Sequence, residues 1–259
     1  MSINRPATKS GPLFDLIGAH ILENESPDDV TLARLRREAA AVLNTRERAV
    51  GHILLSGVSA LEWDLEEAKR QVDLAVKADP SVHTFLNALV TFDVLGRPDV
   101  SVPYAAELAR IAPSDAHAIN EASGIFVSVG RVEEAAAIQA ACLEANSELK
   151  FEIDAQDLAS RLERAGISED WLSEELQIAR TVLVDAHFRP RQFEYQDDDD
   201  PDGGPFLSFC LRFYGSLQDE FRLDDELALK LSASERWNPS RLSVQLHYLV
   251  PEEHARDPR

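Results

Sequence analysis

Two stretches of the chain, FDVLGR at residues 92–97 and FVSVGR at 126–131, resemble each other at an offset of 34 residues. Phe92 meets Phe126, Gly96 meets Gly130 and Arg97 meets Arg131. Agreement of an aromatic, a glycine and an arginine in one phase constrains the fold more than any other feature, because such a period marks one supersecondary unit copied and stacked. Asp79-Pro80, Ala112-Pro113 and Asn146-Ser147 fall at about the same phase of successive units.

Each unit reads as a helix, a tight turn at the glycine, a second helix and a terminating turn. In residues 64–80 (DLEEAKRQVDLAVKADP), Leu65, Ala68, Val72, Ala75 and Val76 form one stripe at helical spacing. Glu66 and Glu67 lie near the positive N-terminal end of that helix, and Asp79-Pro80 stops it. Residues 131–146 (RVEEAAAIQAACLEAN) repeat the pattern with Val132, Ala135, Ala136, Gln139, Cys142 and Leu143. So many alanines on a packing face let neighbouring helices approach closely.

On the turn glycines Gly96 and Gly130, the alanines Ala68 and Ala135, the aromatics Phe92 and Phe126 and the closing prolines Pro80 and Pro113, the chain resembles the tetratricopeptide-type helical repeats. Three units span about residues 48–147, with 28–47 and 148–166 as flanking helices. Trp63 stands where the first turn should carry glycine, Ser101 where the second unit should carry alanine, and GRPDVSVP (96–103) departs from the usual turn.

The resemblance implies that the first helix of each hairpin lines an inner groove. Carried over by position, that groove takes Val50, Ile53, Gly57, Ala60 and Leu61 from unit one, and His83, Leu86, Val90, Asp93 and Val94 from unit two. Unit three supplies His117, Asn120, Gly124, Val127 and Ser128. The set contains no lysine or arginine, which argues against the carboxylate-gripping branch of the family. An apolar or amphipathic helix suits it, either from a partner or from this chain's own C-terminal region. His83 and His117 share a phase, but packed helices stand about 8–10 Å apart, too far for one zinc ion with nitrogens at about 2 Å.

Past residue 166 the period changes. Residues 167–188 read as a long helix with Ser168 as N-cap and Glu169 in its first turn. Alternation then predicts strands: Leu207, Phe209, Leu211 and Phe213 against Ser208, Cys210 and Arg212, and Leu242, Val244, Leu246 and Tyr248 against Ser243, Gln245 and His247. RQFEYQ (191–196) is a further strand. Residues 224–234 are read as a strand from the alternation of Leu227, Leu229 and Leu231, with a helix starting at Asp224 as the alternative.

The expected fold is therefore mainly α: a tetratricopeptide-like α-α superhelix, then a small C-terminal α+β region with an antiparallel sheet. Its parts are an N-terminal extension (1–27), a helical-repeat domain (28–166) and a C-terminal domain (167–259). Between the first two strands, DDDDPDGG (197–204) reads as a loop whose Asp197, Asp198, Asp199, Asp200 and Asp202 form a negative finger toward a basic partner. An EF-hand is excluded because no glutamate stands at its twelfth position.

The 26 basic and 46 acidic residues leave a formal charge of -20, which repels phosphate backbones and anionic membrane surfaces. No stretch approaches the roughly 20 apolar residues of a membrane span, and Asp15 and His20 interrupt the N-terminal apolar run that a signal peptide would need. Cys142 and Cys210 alone cannot make a disulfide framework and read as buried thiols of a cytoplasmic protein.

Nucleophile-elbow, phosphate-loop, dinucleotide-binding and zinc-helix motifs do not occur in the sequence. HFRPR (187–191) places His187 beside Arg189 and Arg191, the one compact set suited to an anion or to acid/base work; the plainer expectation is a solvated junction. The reading is a non-enzymatic protein-protein interaction or adaptor protein without metal or cofactor, whose partner is basic or presents an amphipathic helix. The alternative is an acidic immunity or antitoxin-like inhibitor that masks a basic toxin, where opposite charge speeds association. An enzyme using the C-terminal sheet ranks third.

Overall fold

The computed structural model describes residues 10–22, 27–145, 149–200 and 204–249, the side chains of residues 22, 197–200 and 205 excepted. Among the described residues eleven helices are joined by three strands near the C-terminus, so the chain is mainly α with one small sheet. It divides into two compact units, Met1–Phe92 and Asp93–Arg259.

In the first unit, α1 (Ser10–Leu22), α2 (Asp29–Val42) and α4 (Leu65–Ala78) all pack against α3 (Arg48–Leu61), whose residues are apolar or small nearly throughout. The N-caps Asp28 and Asp64 accept hydrogen bonds from Thr31 N and Glu67 N, which satisfies backbone donors that a helix start leaves open. Leu13 and Ile17 of α1, Leu35, Ala39 and Val42 of α2, and Leu54, Val58 and Leu61 of α3 form one buried cluster. Helices α3 and α4 are tied by His52 Nδ1 and Gln71 Oε1 at 2.7 Å, a buried pair. Gln71 donates in turn to Glu67 at 2.8 Å. Hydrogen bonds from Arg70 and Gln71 hold the Glu67 carboxyl down at about 2.

The first helices of the pairs, α3, α5 (Val82–Val94) and α7 (Ala116–Ser128), begin at residues 48, 82 and 116, and the second helices α4, α6 (Pro98–Ile111) and α8 (Val132–Ala145) at 65, 98 and 132. A left-handed residue sits in each intervening turn: Trp63 at φ 59°, Gly96 at 66° and Gly130 at 81°. The turn that starts at Gly96 is thus as tight as the others, and α6 accommodates Pro98 in its first turn and Pro103 inside.

In the second unit, α9 (Ala155–Ala165) and α10 (Glu169–Asp185) follow, with Ser168 accepting from Trp171 N as N-cap. Helix α10 runs past both glycine turns. A Cβ at Gly96 would stand 2.5 Å from Val184 Cγ2, and one at Gly130 would stand 2.7 Å from Ser173 N. These glycines are needed twice over, for the positive φ and for the close approach of α10.

Strands β1 (Pro190–Asp200), β2 (Gly204–Tyr214) and β3 (Leu242–Leu249) form a sheet in the order β1-β2-β3. β1 and β2 are an antiparallel hairpin, whereas β2 and β3 run parallel, with Phe209 opposite Val244 and Leu211 opposite Leu246. The expected antiparallel sheet is corrected here, and the cause is the segment 224–234. It lies mostly in a helix, α11 (Leu217–Leu231), begun by a capping box in which Ser216 and Asp219 hold each other's backbone N–H. A helix between two strands carries the chain back to its starting end, so the next strand enters parallel. Leu223, Leu227 and Leu231 are buried at intervals of four, while Leu229 is exposed. Helix α9 packs on β2, and α10 and α11 on β3.

Candidate functional site

The residues assigned to a groove by position separate into surface and core. In the first unit Ile53 and Leu61 are buried, and Leu61 belongs to the cluster that α1 completes with Leu13 and Ile17. The N-terminal stretch read as an extension thus supplies a helix that packs on α3, where Ile17 meets Gly57. On α5 of this unit His83 is exposed, Leu86 is half-buried and Val90 is 55% exposed, while Phe85, Ala88, Leu89 and Phe92 point into the core. Spacings of three and four put His83, Leu86 and Val90 on one helix face.

In the second unit Val94 and Val127 are buried and so correct the same expectation, whereas Asp93 and His117 are exposed. Asn120 is half-buried and already engaged, its Oδ1 accepting from Glu152 N at 3.1 Å. Ile53, Leu61, Val94 and Val127 are core rather than lining, because each lies on a side of its helix that its own unit covers. Of the acidic finger, Asp197, Asp198, Asp199 and Asp200 lie in β1, with Asp197 opposite Leu207 and Asp200 opposite Gly204. The loop is correspondingly shorter than expected. Their side chains and Asp202 lie outside the described residues.

The cluster of interest forms where α10 passes into β1. His187 ends the helix in a left-handed conformation at φ 58° and is exposed. Phe188 then turns inward to meet Phe213 edge-on at 4.9 Å. Arg189 is buried at 2% exposure and donates from Nη1 to Val94 O at 3.0 Å, at the carbonyl end of α5. Two residues on, Arg191 lays its guanidinium over the Tyr214 ring at 5.0 Å, and its Nε and Nη2 are shielded without an acceptor. Arg180 of α10, 4% exposed, donates to Leu176 O at 3.4 Å. Among the described residues no carboxylate oxygen lies within 4 Å of Arg180 or Arg191.

Asp93 completes the set. Asp93 is exposed, and the protein beside its carboxyl pushes its pKa upward, with Arg180 opposing that push. Desolvation lowers Arg180 to about 10, with Asp93 and Asp99 opposing, and lowers Arg189 to about 10 with help from Arg191. All three guanidinium groups remain charged at neutral pH.

Arg180 and Arg191, from the C-terminal region, both act on the Asp93 carboxyl. Arg189 and Arg191 had a signal in HFRPR. Arg180 had one as well. On α10 the buried stripe Leu172, Leu176, Ala179 and Leu183 is interrupted by Glu175 and Arg180, both buried, and charged residues at core positions point to a site.

No protein-family model matches the sequence, and no curated protein or solved structure matches it either.

Proposed function

We propose that this is a non-enzymatic protein-binding protein of tetratricopeptide-like helical architecture, in which the outward face of α5 receives an amphipathic segment of another protein. The observation that carries this reading is that face itself: His83, Leu86 and Val90, the last 55% exposed, stand on a helix whose other face is fully packed. Helix starts at 48, 82 and 116, with left-handed residues at Trp63, Gly96 and Gly130, support the repeat architecture. The test is capture from cells of origin with quantitative mass spectrometry, comparing the native protein with the double variant Leu86→Arg, Val90→Asp. We expect one partner lost by about tenfold, equivalent to ~1.4 kcal/mol, with the helical circular dichroism unchanged. Equal recovery by both proteins eliminates this face as the site.

A second reading, an acidic immunity-like inhibitor of a basic toxin, is favoured by the way the cations are used. Lys69, Arg70, Arg110, Arg131 and Arg161 are each paired with a carboxylate three or four residues away on the same helix or its cap. These five cations are neutralised within their own helices, and the chain keeps a formal charge of -20. Such an inhibitor would associate with its toxin at a rate that falls steeply with salt. A salt-independent rate excludes it.

A further inference from the structure

We propose that the outer edge of β1 receives an extended basic segment of a partner protein, which joins the sheet as a further strand. The surface lies on the sheet rather than on α5, and the proposal stands whether or not the α5 face is used. β1 is 11 residues long and ends the sheet, whose order is β1-β2-β3. At the usual rise of a strand this is about 35 Å of edge. In an antiparallel ladder every second residue turns its N–H and C=O away from its partner. On β1 those groups face away from β2, and among the described residues no hydrogen bond from outside the hairpin reaches the backbone of residues 192–196. The opposite edge of the sheet is closed, because Glu220 and Asp224 of α11 accept from Tyr248 N and Leu246 N. One edge is thus covered by carboxylates and the other is left able to pair, which is the geometry that strand addition uses.

The residues of β1 define what pairs with it. Phe193 and Tyr195 lean on the fully buried Phe209, with ring centroids 5.7 and 6.1 Å away, yet both are only half-buried. Apolar side chains of an incoming strand would cover the rest of these two rings. Gln192 and Gln196, both exposed, share the other face of the strand with Glu194. Glu194 holds Arg212 at 2.9 Å, and the strand runs on into Asp197, Asp198, Asp199 and Asp200. Unlike charges set opposite each other across a strand pair are favourable and like charges unfavourable. The complementary segment therefore carries lysine or arginine at alternate positions with apolar residues between them. A second copy of this chain would bring a further formal charge of -20 to the same edge, which favours a cationic partner over self-pairing.

The experiment is isothermal titration of the full chain, at low ionic strength, with an acetylated and amidated peptide of about eight residues in which lysine and valine alternate. The same peptide with every amide N-methylated keeps its charge and offers no backbone donor, so it should bind about tenfold more weakly. Asp197→Asn, Asp198→Asn, Asp199→Asn and Asp200→Asn combined should also weaken the unmodified peptide about tenfold. The Leu86→Arg, Val90→Asp variant should bind it as the native protein does; loss of binding there would place the peptide on α5 and overturn the proposal. Hydrogen exchange should show alternate amides among residues 192–196 exchanging quickly in the free protein and about tenfold more slowly in the complex. No saturable heat with the unmodified peptide, or equal affinity for the N-methylated one, would overturn the proposal, the latter because charge alone then explains the binding. Protection confined to residues outside β1 would remove the edge as the site. Should the same β1 amides become protected without peptide as the protein concentration rises, a second copy occupies the edge and the proposal fails.

Discussion

At the scale of single residues, the fold carries two local costs, one at Trp63 and one at Glu175. Trp63 occupies the left-handed turn position that Gly96 and Gly130 fill elsewhere. A side chain there costs roughly 1 kcal/mol, and the flanking helices impose the conformation regardless. All three residues, Trp63 among them, have positive φ two residues before a helix start. The second cost is Glu175, fully buried on α10. Its Oε1 accepts from Trp171 Nε1 at 2.6 Å and its Oε2 has no partner. Burial raises its pKa from 4.5 to about 7. The folded state therefore binds the proton more tightly than the unfolded chain, so stability is lost as pH rises from about 4.5 to about 7 and stays low above that. Glu175→Gln should remove this dependence and be more stable than the native protein at pH 8 by ~2 kcal/mol, with little difference at pH 4. Urea denaturation at the two pH values checks it, and an equal shift at both rejects the burial penalty as its source.

At the scale of elements, α11 is where sequence reasoning went furthest wrong and where the structure is most instructive. Leu227, Leu229 and Leu231 alternate, but the capping box at Ser216 and Asp219 and the four-residue spacing of Leu223, Leu227 and Leu231 make the segment helical. That one difference turns β3 from antiparallel to parallel. The helix also protects the sheet. Along the outer edge of β3, Leu246 N donates to Asp224 Oδ1 at 3.2 Å and Tyr248 N to Glu220 Oε2 at 2.7 Å. An edge that would otherwise present open backbone donors is thus covered by carboxylates. In the double variant Glu220→Ala, Asp224→Ala we expect amide exchange at Leu246 and Tyr248 to accelerate about tenfold. Val244, outside these two contacts, serves as the internal control in the same hydrogen-exchange measurement. Unchanged protection at both amides would show that the carboxylates do not hold the edge.

At the scale of the whole molecule, the charge of -20 is a property of solution behaviour rather than of fold. The intrahelical pairs such as Lys69–Asp73 and Arg131–Glu134 are exposed and each contributes little. Self-repulsion of the uncompensated acid should outweigh their screening. Raising the ionic strength from ~10 mM to ~150 mM, which shortens the screening length from about 30 Å to about 8 Å, should therefore raise Tm by about 2–5 °C. A Tm that falls with salt would mean that the surface pairs dominate.

What the sequence determined by itself was the local order: helices whose apolar residues recur at three and four, strands with alternating residues, turns at Gly96 and Gly130, a cap at Ser168. These depend on residues near one another in the chain, and the 34-residue recurrence made them legible. Tertiary structure alone decided which of Ile53, Leu61, Val94 and Val127 is core and which of their neighbours is surface, because burial depends on what else packs there, including α1 from the far N-terminus. It also decided that Arg180 of α10 and Arg191 of β1 come close enough to act on the Asp93 carboxyl. Their sequence separation from Asp93 is about ninety residues, and no local periodicity carries information across that distance; only the packing of α10 over the glycine turns brings the charges together.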